Sequence, residues 1–260
     1  MIRVNVDPTN PGQFFACCGL LELADRLLPG AEGWFEAKGQ EFCVATEGPL
    51  KDLIGAFTQT RFLQVDPDDI TASPIDIGTP FRPFRLDWWH DSRSGGRELK
   101  VWAGKMESVR IAEAMQYAMR IDERFKTSEL FEVGLIAFEP GDPEKKVEPY
   151  YFDSRRGPNA HSRDVGFSPN DLGLTTTAFP AVELLCLVGL QRCRPAKTNQ
   201  GRIYDYFTWT SPVLPELLPA VVTGQIRTAG SQGFRFENWF RTGQKKHKAF
   251  RSAIPHAPGV

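Results

Sequence analysis

Residues 10–27 read NPGQFFACCGLLELADRL, and this stretch decides how the fold begins. Asn10 has the side chain of a helix N-cap. Pro11 fits the first turn, where its missing N–H costs nothing, and Gln13 stands at the capping-box position. Phe14, Phe15, Ala16, Cys17 and Cys18 follow with no charge among them, so the stretch reads as a buried first helix. Neighbours on a helix point about 100° apart, so Cys17 and Cys18 cannot converge on one metal ion and read as packing thiols. Ahead of the helix, MIRVNVD alternates apolar and polar residues and reads as a strand. The chain thus opens β–α.

The 260 residues are 41% hydrophobic and 24% charged, which suits one large domain or two smaller ones. No apolar run approaches the length of a membrane-spanning helix, and the N-terminus lacks the basic start and apolar core of a signal peptide. A cytoplasmic protein with no membrane association is expected. Five cysteines, an odd number without regular spacing, fit a reducing compartment. The net charge of −1 conceals an asymmetry. Residues 1–80 hold 12 acidic against 5 basic residues, whereas residues 225–260 hold 7 basic residues against Glu237 alone. Either the basic end meets an anionic partner or the two ends neutralise each other.

Along the chain, strands are expected at about 33–37 and 41–46, and a helix at 50–58. Residues 67–83 read as a loop. FRLDWWHDSRSGGRELKVWAG (84–104) reads as a hairpin, with strands at 84–89 and 99–102 and its turn at 94–96. An amphipathic helix is expected over 106–121, strands over 130–138 and 149–153, and a loop over 154–177. A second apolar helix follows at 180–191, then strands at 203–210 and 234–240 and a basic mobile tail at 243–260. The turn-rich 139–149 segment is the place for a domain boundary, dividing the chain into 1–147 and 148–260, unless it is one compact unit. PGQFFACCGL (11–20) and PAVELLCLVGL (180–190) both run from Pro to Gly-Leu, as a duplicated unit would, or as two unrelated buried helices would.

No P-loop, dinucleotide fingerprint or nucleophile elbow is present. No C-x-x-C pair exists, and His90-Asp91 lacks the further ligands of a metal hydrolase, so neither metal nor cofactor is expected. The informative polar features are basic clusters: Arg93, Arg97, Lys100 and Lys105; Arg155, Arg156, His161 and Arg163; Arg192, Arg194 and Lys197; and Lys245, Lys246, Lys248 and Arg251. Arg227 and Arg235 flank the glycine-aromatic segment GSQGFRFENWF, in which Gly230 and Gly233 either open a phosphate-binding loop or simply turn into a core strand. Arginines beside glycines and aromatics suit backbone contacts to nucleic acid.

Four blocks together, VDPTNPGQFFACCGLLELADRL (6–27), RLDWWHDSRSGGRELKVWAGKM (85–106), YYFDSRRGPNAHSRDVGFSPND (150–171) and PAVELLCLVGLQRCRP (180–195), resemble the small Csb-type CRISPR-associated protein of type I-U (I-G) systems. The resemblance spans most of the chain. It implies an α+β fold with RAMP-like (ferredoxin-like) elements, an antiparallel sheet with packed helices, and two halves that are related if the echo is a duplication. It also implies a subunit of a Cascade-like, crRNA-guided surveillance complex in antiviral defence, whose partners are crRNA, target DNA and the other Cascade subunits. In that setting Arg93, Arg97, Lys100, Lys105, Arg155, Arg156, Arg163, Arg227, Arg235, Lys245 and Lys246 are the candidate nucleic-acid contacts of a non-catalytic subunit. The alternative is a RAMP-type, metal-independent endoribonuclease that trims the crRNA precursor. His161 would then be the general base and Gly230 and Gly233 the phosphate loop, although this loop is poorer in glycine than such enzymes carry.

Overall fold

Helix α1 (Pro11–Leu27) forms where the sequence places it. The Asn10 side chain accepts from the Gly12 and Gln13 backbone N–H at 3.1 and 3.4 Å. Gln13 does not close a capping box. Its Oε1 accepts from the Asp7 N–H at 2.7 Å and so fixes the incoming strand instead. The computed structural model describes residues 1–36, 39–156, 177–241 and 245–256, with only the backbone of Arg156.

The molecule is mixed α and β, and among the described residues every strand pairing is antiparallel. Strands β1 (Ile2–Asn5), β2 (Glu32–Phe35) and β3 (Glu41–Ala45) form a sheet in the order β1-β3-β2. With α1 following β1 and β3 between β1 and β2, this is a split β-α-β arrangement. Among the described residues no fourth strand extends it beyond an isolated antiparallel bridge between Gly33 of β2 and Val213. Helix α2 (Leu50–Gln59) leads to a small sheet of β4 (Phe62–Gln64), β5 (Ile75–Ile77) and β6 (Phe84–Leu86). Then come a four-residue helix α3 (Gly96–Leu99), helix α4 (Ser108–Ile121) and the hairpin of β7 (Phe138–Glu139) and β8 (Asp142–Lys146). Helix α5 (Pro180–Arg192) precedes the largest sheet. Its strands β9 (Ala196–Lys197), β10 (Ile203–Phe207) and β11 (Gly233–Phe240) meander, and β12 (Lys248–Phe250) and β13 (Ile254–Pro255) both pair with β11. Helix α6 (Leu218–Val222) lies between β10 and β11.

The two apolar helices meet backbone to backbone. A Cβ placed on Gly19 would lie 2.0 Å from the Leu185 carbonyl oxygen, and one on Gly189 would lie 2.0 Å from that of Phe15. The helices run parallel: Glu22 near the end of α1 pairs with Arg192 at the end of α5, and both N-termini grip residues 151–154. Glu183, fully buried, accepts from the Tyr151, Phe152 and Asp153 N–H groups at 2.9, 3.1 and 3.1 Å. Burial pushes its carboxyl up to about 7, against the pull of those donors. Asn10 binds the same segment, donating to Asp153 Oδ1 at 3.0 Å and accepting from Ser154 N at 3.1 Å. Thus the echo between 11–20 and 180–190 is two matched halves of one helix contact. The sheets beside the helices differ in strand order, β1-β3-β2 against a meander. One hydrophobic cluster contains residues from both 1–147 and 148–260.

Cys17, Cys18, Cys186 and Cys193 are wholly buried in this contact as free thiols, and burial raises the pKa of each. They pack, as their places on the helices suggest.

Several expected elements differ. Residues 84–102 are not a hairpin. After β6 the chain makes a 3-10 turn at Trp88–His90 and then α3, because Trp88, Trp89 and Trp102 pack edge to face with one another. The expected 130–138 strand is instead a 3-10 turn at Leu130–Glu132, then irregular chain with an isolated bridge from Leu135 to Ala178 before β7, and 149–153 is an irregular segment held by Glu183. The 67–83 loop contains β5, and 139–149 is a hairpin arm. The expected tail supplies two edge strands, β12 and β13.

Gly19→Ala should destabilise the protein by about 3 kcal/mol or more, since neither backbone can retreat from a Cβ there. Gly55→Ala in α2, where a Cβ meets nothing within 4 Å, should stabilise it by about 0.5–1 kcal/mol. Equilibrium urea unfolding of the two variants checks both signs.

Candidate nucleic-acid interface

Three basic segments remote in sequence are tied together around Glu98. The first is α3 and its exit, residues 97–105. The second links α5 to β10, residues 194–202. The third runs from the end of β11 into β12, residues 240–248. The Lys248 N–H donates to the Val101 carbonyl at 2.9 Å, and its ammonium donates to the Glu98 carbonyl. Asn238 Nδ2 donates to the Glu98 and Leu99 carbonyls at 2.9 and 3.3 Å. Lys197 pairs with the Glu98 carboxylate at 2.7 Å. Gly104, at φ +65°, lies against the His247 ring, which brings Lys105 to the 245–248 run. Arg93 stands one step away. Its N–H donates to Asp91, which also holds Arg194 at 2.6 Å.

These bonds join the three segments around Glu98, and with them come Arg97, Lys100, Lys105, Lys197, Arg202, Lys245, Lys246 and Lys248. Burial lowers the Lys248 pKa to about 8; Glu98 partly opposes this, and Arg202 and Lys100 add to it. Lys100 is lowered by burial and by Arg97, with Asp69 opposing. His247 is lowered by burial, Arg241 and Lys246. Arg241 underpins the group. Its guanidinium stacks 3.4 Å from the Tyr151 ring centre, its N–H donates to the His247 carbonyl at 2.8 Å and its Nε to the Lys248 carbonyl at 3.0 Å. An aromatic edge borders the cations, where Arg202 lies 4.7 Å from the ring centre of half-buried Phe240. A concave or flat surface of this charge attracts phosphates and exchanges their counterions.

Other sequence candidates are placed elsewhere. Arg155 lies between carboxylates: it pairs with buried Asp153 and with Glu132 at 2.7 Å each, donates to the Phe131 carbonyl at 2.6 Å and stacks 3.5 Å from the Phe179 ring centre. Arg235 makes a bidentate pair with Asp205 at 2.7 and 2.8 Å. Arg227 is exposed and lies over Phe207 at 5.2 Å. His161, Arg163 and the Arg156 side chain lie outside the described residues. The glycine pair forms no open phosphate loop. Gly230 takes φ +76° in a turn beside Thr210, and Gly233 is already in β11, where a Cβ would lie 2.5 Å from the His256 carbonyl oxygen. Phe234 and Phe236 are buried behind it.

Arg202, Arg241 and His247 escaped the sequence reading as site residues. Lys248 was visible only as a member of the basic 245–251 cluster, and nothing local distinguishes Arg202. Among the described residues, one group has metal-ligating atoms close together, Glu36, Glu41 and Cys43, within 4.8 Å of one another. The Arg3 guanidinium pairs with both of those carboxylates.

The chain matches no protein-family model, no curated protein and no solved structure. Among the described residues no helix is long and apolar enough to cross a membrane.

Two outcomes follow from this geometry. Arg155→Ala removes the charged partner of the buried Asp153 carboxylate and should cost about 2 kcal/mol of stability by denaturant titration. Lys248 has a folded pKa of about 8 against 10.5 for a free lysine, so between those values the unfolded chain holds a proton that the folded chain has released. Stability should therefore rise with pH across that window, and Lys248→Met should abolish that rise and melt higher than the wild type at neutral pH.

Proposed function

We propose that the chain is a non-catalytic nucleic-acid-binding subunit of a type I-U (I-G) Cascade-like surveillance complex, holding crRNA or engaging target DNA through the phosphate backbone. The observation that carries the binding role is that three separate segments bearing Lys100, Lys105, Lys197, Arg202, Lys245, Lys246 and Lys248 are bonded to one another at Glu98. Isolated surface cations are ordinary on a protein with balanced charge. Cations that the fold brings together from three remote segments are not, because folding gains nothing from their repulsion; Lys100 and Lys248 are lowered by burial first and by neighbouring cations second.

The choice of complex rests on the four sequence blocks and on the RAMP-like expectation, which the split β-α-β arrangement of β1, α1, β2 and β3 supports. In such an assembly base pairing reads the sequence of the target. A subunit of this kind needs backbone contacts and a rigid platform rather than a reaction centre.

The test is binding of the full-length protein to a labelled single-stranded RNA and a labelled duplex DNA, by fluorescence anisotropy across a salt series. Lys105→Glu/Lys245→Glu/Lys246→Glu, all at exposed positions, should weaken binding at least about tenfold and flatten the log-log salt dependence by about 2. Unchanged affinity and slope in that variant would remove this face from the interface.

A further inference from the structure

We propose that Lys248, flanked by Lys100 and Arg202, is a built seat for one phosphate group, the fixed point at which a phosphodiester strand is held on the basic face. This inference rests on the nucleic-acid-binding reading above and sharpens it from a diffuse field to a defined contact.

Lys248 differs in kind from Lys245 and Lys246. Those two are exposed, and their long side chains can follow any anion. The Lys248 backbone is pinned on three sides: it pairs with Phe240 across β11 and β12, donates to Val101 and accepts from Arg241. Its ammonium is partly buried and rests on the Glu98 carbonyl, a neutral acceptor. The Glu98 carboxylate is spoken for by Lys197 at 2.7 Å and the Tyr204 hydroxyl at 3.4 Å. Among the described residues Lys248 forms no ion pair with any carboxylate. A partly buried cation held among cations is a standing electrostatic conflict, and such conflicts persist where a ligand relieves them.

Arg202 adds a second, independent sign. It holds φ +65°, a left-handed conformation that costs a non-glycine residue energy, although Gly201 stands next to it. The strained position aims the guanidinium over Phe240, the register partner of Lys248, while the Arg202 carbonyl takes the Asn238 N–H at 2.9 Å. The nearest carboxylate, Glu237, is 3.7 Å away, a loose pair that leaves donor capacity. Two ammonium groups and one guanidinium suit an anion offering several oxygens in different directions. A phosphate does so, and the half-exposed Phe240 ring beside it suits an adjoining nucleotide.

The test compares the wild type, Lys248→Met, Lys248→Arg and Lys245→Glu/Lys246→Glu by calorimetry and anisotropy. The probes are a single-stranded RNA and a duplex DNA, with inorganic pyrophosphate and poly-glutamate as competitors. Lys248→Met should lose about tenfold in affinity and about one unit of salt slope, and Lys248→Arg should recover both. Near pH 9, about one unit above the Lys248 pKa, phosphate binding should return the proton to the wild-type ammonium. Proton uptake measured in buffers of different ionisation enthalpy should then be present in the wild type and absent in both Lys248 variants. A melting temperature at or above that of the wild type certifies that Lys248→Met is folded.

If Lys248→Met binds like the wild type while Lys245→Glu/Lys246→Glu binds weakly, the seat is overturned and the nucleic-acid reading stands. If no polynucleotide binds but pyrophosphate binds in a Lys248-dependent way, the seat stands for free phosphates and the nucleic-acid reading falls. Displacement of RNA by poly-glutamate with the same Lys248 dependence would overturn the phosphate assignment in favour of an acidic peptide.

Discussion

The contact between Gly19 and Gly189 is the constraint on which the rest of the structure depends. With no side chain on either glycine, α1 and α5 approach until backbone touches backbone, and both helices are buried along most of their length. A helix buried on all sides has no polar face, which is why neither shows amphipathic periodicity. Because the pair runs parallel, its two N-termini lie together. Asn10 and Glu183 at those ends share one segment, 151–154, and satisfy its backbone donors inside the core.

That shared grip reaches the basic face. Tyr151 is anchored through its N–H to Glu183, and Arg241 stacks on its ring. Arg241 in turn holds the His247 and Lys248 carbonyls and so places β12. On the other side, Trp88 in the 84–104 segment donates to the Leu187 carbonyl of α5 at 3.0 Å, and the Gln191 side chain of α5 accepts from the Asp87 and Trp88 N–H groups. The 97–105 and 240–248 segments of the cationic cluster are therefore referenced to the same helix, which the 194–202 segment follows directly in the chain. A rigid platform of this kind holds charges against one another that would otherwise separate in solvent.

Legibility followed the source of each element's stability. The buried helices, the amphipathic α4 and the alternating strands β10 and β11 are written in local pattern, and the structure has them close to the expected residues. The hairpin expected over 84–102 is absent because its aromatic residues answer to a tryptophan cluster rather than to a sheet face. The expected tail is an edge of the sheet because Phe234–Phe240 offers it a partner, information that residues 243–260 do not contain. For the site, the basic clusters were visible as composition, but composition could not separate Arg155 and Arg235, paired with Asp153 and Asp205, from Lys100 and Lys248, which form no ion pair with a carboxylate among the described residues.

By itself, the sequence determined the β–α opening, the two Pro-started apolar helices, the packing role of the cysteines and the presence of excess positive charge in particular segments. Each of these depends on residues within a turn or two of one another. Only the tertiary structure decided that the helices pair through Gly19 and Gly189, that 151–154 is clamped between their ends, and that residues 97–105, 194–202 and 240–248 surround Glu98. Those outcomes depend on contacts across as many as 170 residues of chain, between Glu22 and Arg192, where the deciding quantities are close approach and charge neutralisation in space.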